Sequence, residues 1–346
     1  MMRVLEVSKD QEPAWNTFVY ANHPPIGGFM QSWEWGLFQK ALGRSVSRYI
    51  VERDGQWVAL FTFVRHTLPF GLSYGYAPRG PLMARNMSSE DIAEIVRYIR
   101  TWAIEQFPTL TFVRLEPPLK AFPDLTENGF KIPPYYVQPR YNTAVSLVKS
   151  EEEIISSFHS STRSNLNRAR NRGVTVELKP NVSEEDLSYF FAMITDTVSR
   201  NSGKNVYPSE EYLRMMVKTI KGLNAIKDLE HLSLGGFFGY QNGERASMQF
   251  VLFFGKTATY LYGASYRKSL NSKVTTLLHF EAMREAKKRG CEWYDLGGID
   301  SARWPSLTEF KRQFKGQEFE YAGNIDIVVK PVLYAVYNIL RRLKKS

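Results

Sequence analysis

Lys311 has the clearest catalytic setting in this sequence. It lies in the segment LTEFKRQF, residues 307–314, where Phe310 and Phe314 are spaced to share one face of a helix. Such a pair is usually core, but a lysine beside it at the edge of a pocket can stabilise a developing oxyanion. The segment therefore predicts a packed helix that could also present a catalytic cation.

Two further segments could contribute to a binding site. In YDLGGI, residues 294–299, the Asp295 carboxylate precedes two glycines at the predicted end of a strand. Glycine lets backbone approach a ligand closely, although the same residues also suit a tight turn. In QSWEWG, residues 31–36, Trp33 and Trp35 could stack on a ring or close a core, and their spacing favours the core.

The common catalytic and metal-binding motifs do not occur. The five histidines are scattered without metal-ligand spacing, and no nucleophile elbow, phosphate loop or dinucleotide fingerprint is present. Cys291 is the only cysteine, which excludes an internal disulfide and a cysteine metal cluster. We therefore expect no metal and no cofactor, and an enzyme that acts by positioning and electrostatics on an activated substrate.

A basic segment indicates an anionic partner. Residues 162–173, TRSNLNRARNRG, contain no acidic residue and carry four arginines: Arg163, Arg168, Arg170 and Arg172. Arginine forks suit phosphates, so this is either an RNA-phosphate contact or a solvated helix face. The 45 basic and 35 acidic residues give a net charge of +10, which favours an anionic partner but also serves solubility.

The elements that must position these residues are arranged twice in the same order. Asp54-Gly55 and Asn242-Gly243 each join two strand-like runs, as two-residue hairpins do. An aromatic strand, a helix and another strand follow each hairpin. This order predicts an α/β (α+β) fold of two tandem acetyltransferase-like domains with mixed sheets. We expect domain 1 to comprise residues 1–145 with the C-terminal segment 322–346, and domain 2 residues 146–321.

The acetyltransferase plan raises the question of a CoA donor. Pyrophosphate binding at the start of the second helix would need glycines, and residues 271–276, NSKVTT, contain none. The first half offers Arg79-Gly80-Pro81, where proline removes a donor. CoA is thus disfavoured, and an acyl-CoA-dependent N-acyltransferase stays the alternative.

Six segments in order give the chain a family resemblance over almost its whole length. QSWEWG, YGYAPRGPLM, YLYGAS, YDLGGI, EFKRQF and YAGNID resemble the Fem family of nonribosomal peptidyltransferases. The resemblance implies transfer of an amino acid from aminoacyl-tRNA to the stem peptide of a peptidoglycan precursor, lipid-linked or UDP-linked. The partners it implies do not include DNA.

The resemblance also implies roles for individual residues. Lys311 with Phe310 matches the family's catalytic pair, and Lys311 would stabilise the oxyanion formed when an amine attacks the aminoacyl ester. The candidate substrate-binding residues are Tyr74, Arg79, Tyr212, Tyr262, Trp35 and Asp295. Two positions depart from the family pattern, because Leu37 and Tyr207 stand where basic residues are expected. The short stretch between Tyr212 and Leu232 leaves no room for the coiled-coil arm of some members.

The two ends of the chain bear on localisation. The N-terminus lacks an apolar signal core, and no apolar run approaches the ~18 residues of a transmembrane helix, so we expect a cytoplasmic protein. From Pro331 onward an apolar stripe is followed by Arg341, Arg342, Lys344 and Lys345. The stripe, which comprises Val332, Val336, Ile339, Leu340 and Leu343, either packs on the first domain or brings the chain to the anionic inner membrane surface as a peripheral protein.

Overall fold

The chain divides into two compact units. The computed structural model describes residues 1–123, 125, 129–200, 205–225 and 228–343. Arg342 and Leu343 are described by their backbone only. Unit 1 comprises Met1–Pro24, Gln39–Arg140 and Glu320–Ser346, and unit 2 comprises Pro25–Phe38 and Tyr141–Phe319. Helix α2, Trp33–Ala41, includes residues of both units.

Unit 1 is built on a mixed sheet. Its strands are β1 Met2–Glu6, β2 Ser45–Arg53, β3 Gln56–Thr67, β4 Ser73–Ala77, β5 Leu82–Met83, β6 Phe112–Leu115, β7 Phe130–Lys131 and β15 Ile325–Val328. Its helices are α1 Glu12–Asn22, α3 Ser89–Gln106 and α10 Pro331–Leu343. The strand order is β1-β2-β3-β4-β6-β15-β7, and β5 pairs with β3.

Unit 2 has a second mixed sheet. Its strands are β8 Tyr141–Ser146, β9 Val174–Lys179, β10 Ser233–Gln241, β11 Glu244–Phe254, β12 Thr257–Ser265, β13 Trp293–Gly298 and β14 Gln317–Glu320. Its helices are α4 Glu151–Ser157, α5 Ser160–Asn171, α6 Glu184–Arg200, α7 Glu210–Thr219, α8 Val274–Lys288 and α9 Pro305–Arg312. The strand order is β14-β8-β13-β12-β11-β10-β9.

Both predicted hairpins are confirmed. Asp54 and Gly55 have φ of 52° and 82°, and Asn242 and Gly243 have φ of 52° and 80°. Two consecutive residues at positive φ suit the primed turn that matches the twist of paired strands, and asparagine, aspartate and glycine tolerate this conformation best.

The rest of the duplicated plan is also confirmed. In each unit the strand that follows the hairpin, β4 or β12, pairs antiparallel with the second hairpin strand, β3 or β11. The same strand pairs parallel with the strand after the helix, β6 or β13. Each unit has its own apolar core, which in unit 1 includes Phe61 and Ile99 and in unit 2 includes Phe253 and Leu278. The protein therefore has two tandem acetyltransferase-like units, as the sequence predicts.

Helix lengths bear on two further expectations. In the described part of unit 2 the longest helix is α6, with 17 residues, and no coiled-coil arm is present there. Among the helices described for the whole chain, none combines the length and apolar character needed to cross a membrane.

Candidate active site

Lys311 lies in the last turn of α9, with its ammonium against the end of β13. Helix α9 begins with Pro305 in its first turn, where the missing N–H removes no helical hydrogen bond. The Lys311 side chain is buried, and its Nζ donates to the carbonyl oxygen of Gly298 at 2.7 Å. Helix and strand end thus hold the cation in one place.

The segment that receives the cation is a glycine bulge. Gly297 has φ of 81°, and the pairing of β13 with β8 shifts register between Asp295 and Gly297. The Gly297 N–H donates to Asp295 Oδ1 at 2.7 Å, which fixes the bend. Glycine suits position 297 because its φ is in the left-handed region, and a Cβ there would lie in ordinary contact with Lys311 Nζ, at 3.5 Å. The backbone of the two glycines therefore makes its close approach to Lys311.

Burial controls the charge of Lys311. It lowers the pKa of the ammonium to about 8, and the carboxylate of Asp295 opposes part of this fall. At neutral pH most molecules therefore carry Lys311 in its cationic form. An ammonium has three N–H donors, and the bond to Gly298 uses one. The site can accordingly offer a charged donor to an oxygen atom of a ligand.

Phe310 is half-buried beside Lys311 and rests on other rings. Its ring centroid lies 5.4 Å from that of Phe314 and 5.5 Å from that of His279. His279 is buried, and its Nδ1 lies 3.0 Å from the hydroxyl of Tyr294. Burial, reinforced by the Lys311 cation, lowers the pKa of His279 to about 3, so the imidazole stays neutral. His279 therefore supports Phe310 as an uncharged packing residue.

Three other candidate residues of unit 2 form a row of aromatic rings. The Trp35 ring lies 4.9 Å from Phe29 and 5.0 Å from Phe38, and Phe38 lies 4.9 Å from Tyr212. Tyr212 is hydrogen-bonded to Tyr262 through their hydroxyl groups. Trp35 is buried, whereas Tyr212 and Tyr262 are half-buried. The row thus places Trp35 in packing and leaves the two tyrosines able to meet a ligand.

Tyr74 and Arg79 belong to unit 1. Tyr74 is stacked between His66 and Phe112, at 5.0 and 4.8 Å. Arg79 is 3% exposed; its Nη2 donates to the Pro139 carbonyl at 2.7 Å. The Nε and Nη1 groups of Arg79 have no hydrogen-bond partner among the described residues. The guanidinium also lies over the Tyr321 ring at 4.5 Å, so packing and the bond to Pro139 hold Arg79 in place.

The four arginines of the basic segment differ in what they contact. All four side chains are exposed. Arg163 Nη1 donates to the carbonyls of Ser156 and Phe158, and Arg172 Nη1 donates to that of Asn271. Arg170 lies over the Phe280 ring at 5.5 Å. Within the described residues none of the four pairs with an acid, but Arg163 and Arg172 are held by backbone carbonyls. Arg168 and Arg170 are therefore the better candidates for contact with phosphate.

The positions that depart from the family pattern are also in unit 2. Leu37 is exposed, and Tyr207 donates its hydroxyl to the Gly263 carbonyl at 2.7 Å. Near Tyr207 lies Arg200, whose Nη2 donates to the Ser265 carbonyl at 2.7 Å. Sequence reasoning missed Arg200, because its place at the end of the amphipathic helix α6 is ordinary for a cation. The bond from Arg200 to Ser265, at the end of β12, places Arg200 beside Tyr207.

The start of α8 is poorly suited to CoA pyrophosphate. Ser272 and Val274 are buried, and the Val274 N–H donates to Ser272 Oγ at 3.3 Å. A pyrophosphate needs exposed and unused N–H groups at a helix start. In unit 1, the first turn of α3 carries Glu90 and Asp91, which repel an anion. The starts of α8 and α3 are therefore both unfavourable places for the pyrophosphate of CoA.

The repeated order of hairpin, strand, helix and parallel strand in two mixed sheets defines a tandem GNAT-like fold. The FemAB family model matches residues 128–223 and 240–342, more than half of the sequence, and the chain belongs to this family.

Individual relatives agree with the family. The lipid II:glycine glycyltransferase of Staphylococcus haemolyticus is 24% identical over 407 aligned residues, covering 96% of this chain and 95% of the relative. The crystal structure of FemX superposes with a TM-score of 0.78 at 18% identity, covering 97% and 100% of the two chains. A tandem GNAT protein from the clavulanic acid pathway gives a TM-score of 0.53 at 8% identity, covering 94% and 98%. The two solved structures support the fold.

Proposed function

We propose that the protein is an aminoacyltransferase that moves an amino acid from aminoacyl-tRNA to the stem peptide of a peptidoglycan precursor. The observation that carries the proposal is the buried, cationic Lys311 at the β13 bulge, with donors left for a ligand. Membership of the FemAB family and relatives named for glycine transfer on lipid II support a peptidoglycan substrate.

The proposed reaction is aminolysis of an ester. An amine of the precursor attacks the carbonyl carbon of the aminoacyl ester, and a C–N bond forms as the carbonyl oxygen becomes an oxyanion. Lys311 donates to that oxyanion, while the ring of Phe310 closes one side of the site. The C–O bond to the tRNA then breaks, and the proton lost by the amine goes to the leaving ribose oxygen. An ester is activated enough to react without a side-chain nucleophile.

The remaining candidates divide between binding and positioning. We propose that Tyr212 and Tyr262 bind the acceptor in unit 2, and that Tyr74 and Arg79 bind substrate in unit 1. Asp295 acts on the substrate through Lys311, since its carboxylate fixes the bulge and opposes the fall in the lysine pKa. Trp35 supports Tyr212 through the intervening ring of Phe38.

Transfer of radiolabel tests the proposal directly. With aminoacyl-tRNAs as donors, we expect label in the stem peptide of a lipid-linked or a UDP-linked precursor. Free amino acids and acyl-CoA serve as parallel donors and should give none. Transfer from acyl-CoA together with direct CoA binding would instead establish the alternative N-acyltransferase.

The second prediction concerns contact with tRNA. The double variant Arg168→Gln/Arg170→Gln should bind tRNA more weakly, and the slope of log affinity against log salt should become shallower by roughly 1.5 to 2. The measurement is a salt titration of tRNA binding.

A charge-matched control separates a local contact from a general effect of charge. Lys9→Gln/Arg97→Gln removes two exposed cations of unit 1 and should leave the slope unchanged. Equal slopes for the two double variants would show that the basic segment of α5 is a solvated helix face rather than a contact with tRNA.

For localisation, we propose a cytoplasmic protein with peripheral contact at the inner face of the cell membrane. A lipid-linked acceptor would make such contact useful, because it brings the enzyme to the surface in which its substrate is dissolved.

A further inference from the structure

Helix α10 turns its polar side toward its own unit. The Tyr334 hydroxyl donates to Asp326 Oδ2 at 2.8 Å, and the Tyr337 hydroxyl lies 2.9 Å from that of Tyr135. Arg341 lies over the Tyr135 ring at 3.5 Å and donates to the Tyr337 hydroxyl at 3.1 Å. The rings of Tyr334 and Tyr337 also lie against Phe112, at 5.3 and 4.9 Å. Residues 334, 337 and 341 recur at helical spacing, so one stripe of two tyrosines and an arginine anchors the helix.

The opposite side of α10 is apolar and faces solvent. The exposed fractions are 76% for Val332, 43% for Val336, 57% for Ile339 and 47% for Leu340. A helix of a globular protein ordinarily buries such a stripe and exposes its polar side. The alternative that this stripe packs on the first domain is therefore wrong for these four residues. The side chain of Leu343 lies outside the described residues.

The charge of the segment indicates what covers the stripe. Residues 330–346 contain five basic residues, Lys330, Arg341, Arg342, Lys344 and Lys345, and no acidic residue. The side chain of Arg342 and the residues Lys344 and Lys345 lie outside the described residues. A second copy of the helix would bring cations against cations, whereas an anionic lipid surface complements them.

We propose that α10 docks flat on an anionic phospholipid surface, with Val332, Val336, Ile339 and Leu340 inserted at the level of the lipid head groups. The tyrosine contacts hold the helix to unit 1 in an orientation that presents the stripe. The inference rests on the peripheral contact proposed above and names the surface that makes it. Because vesicle binding needs neither donor nor acceptor, it succeeds or fails independently of the transfer reaction.

Co-sedimentation with vesicles of phosphatidylcholine and phosphatidylglycerol tests the surface. The intact chain should pellet with these vesicles at low salt and remain in the supernatant with phosphatidylcholine alone. Val336→Ser/Ile339→Ser/Leu340→Ser should reduce partitioning on the order of 10-fold or more, since it removes the inserted methylenes. Arg342→Gln/Lys344→Gln/Lys345→Gln should also reduce it roughly 10-fold or more, and Arg341 is kept because it packs on Tyr135.

Two controls make the result decisive. The serine variant should melt at the temperature of the parent, because its three residues are exposed. Leu5→Ser/Val148→Ser/Leu270→Ser removes three exposed aliphatic side chains elsewhere and should partition like the parent. Equal vesicle binding by the parent and the α10 serine variant would overturn the proposal. The proposal would also be overturned if the parent bound no vesicles but formed a dimer, and if the serine variant of α10 were monomeric.

Discussion

Replacing Lys311 with methionine is expected to lower the rate of aminoacyl transfer by about 100-fold or more. A charged donor aimed at an oxyanion in a dry site typically contributes a factor of this size, or ~3 kcal/mol of barrier. Methionine keeps much of the length and volume of the side chain, so the loss should reflect the missing ammonium. Single-turnover transfer from aminoacyl-tRNA is the measurement, because it reports chemistry rather than product release.

A neighbouring cation provides the matched control. Arg312 follows Lys311 on α9, is exposed and pairs with Glu318 at 2.7 Å. Arg312→Met should transfer at close to the parental rate, because an exposed ion pair contributes little and the residue does not reach the bulge. Similar losses in both variants would indicate that α9 tolerates no change, and the oxyanion role of Lys311 would lose its support.

Stability provides a second readout for Lys311. Burial lowers its pKa from 10.5 to about 8, so the folded state disfavours the cation relative to the unfolded state. The cost is fully present below pH 8 and disappears as pH rises through 10.5, with an upper limit of ~3 kcal/mol that the bond to Gly298 offsets in part. Lys311→Met should therefore unfold in urea at the same or a higher concentration at pH 7, and its advantage should shrink by pH 10. If Lys311→Met were less stable than the parent at pH 7, loss of the folded state would account for its lost activity.

The parts of the fold that sequence predicts well are local. Asp54-Gly55 and Asn242-Gly243 specify their turns through the backbone conformations these residues tolerate, and the strands that flank them are runs rich in apolar and aromatic residues. The start of α3 is equally local, because the hydroxyl of Ser88, a residue type that favours this position, accepts from the Asp91 N–H at 3.0 Å. These signals need no knowledge of distant residues.

The candidate site is less accessible to sequence because its geometry depends on contacts between distant segments. YDLGGI shows a carboxylate and two glycines, but not that the bulge directs the Gly298 carbonyl at Lys311, 13 residues later. The stripe on α10 is visible in the sequence, but its direction is not. That direction follows from the bond between Tyr334 and Asp326, and Asp326 is fixed by Arg114, 212 residues earlier.

Asp326→Asn is expected to lower the free energy of unfolding by about 3–5 kcal/mol. Arg114 and Asp326 face each other across β6 and β15, and both side chains are fully buried. The guanidinium donates through Nε to Oδ1 and through Nη2 to Oδ2, each at 2.7 Å. Asparagine keeps the shape but leaves a buried cation without its counter-charge, which is costly because water cannot replace the lost partner. Urea unfolding of the intact chain measures the change.

Removing both charges and the Tyr334 hydroxyl distinguishes a lost charge partner from a general sensitivity of the site. The triple variant Arg114→Met/Asp326→Leu/Tyr334→Phe eliminates the cation, the carboxylate and the hydroxyl that donates to it. Since apolar side chains of similar volume can replace a buried ion pair at little cost, it should be more stable than Asp326→Asn despite carrying more substitutions. A triple variant less stable than the single one would show that shape, rather than charge pairing, maintains this part of unit 1.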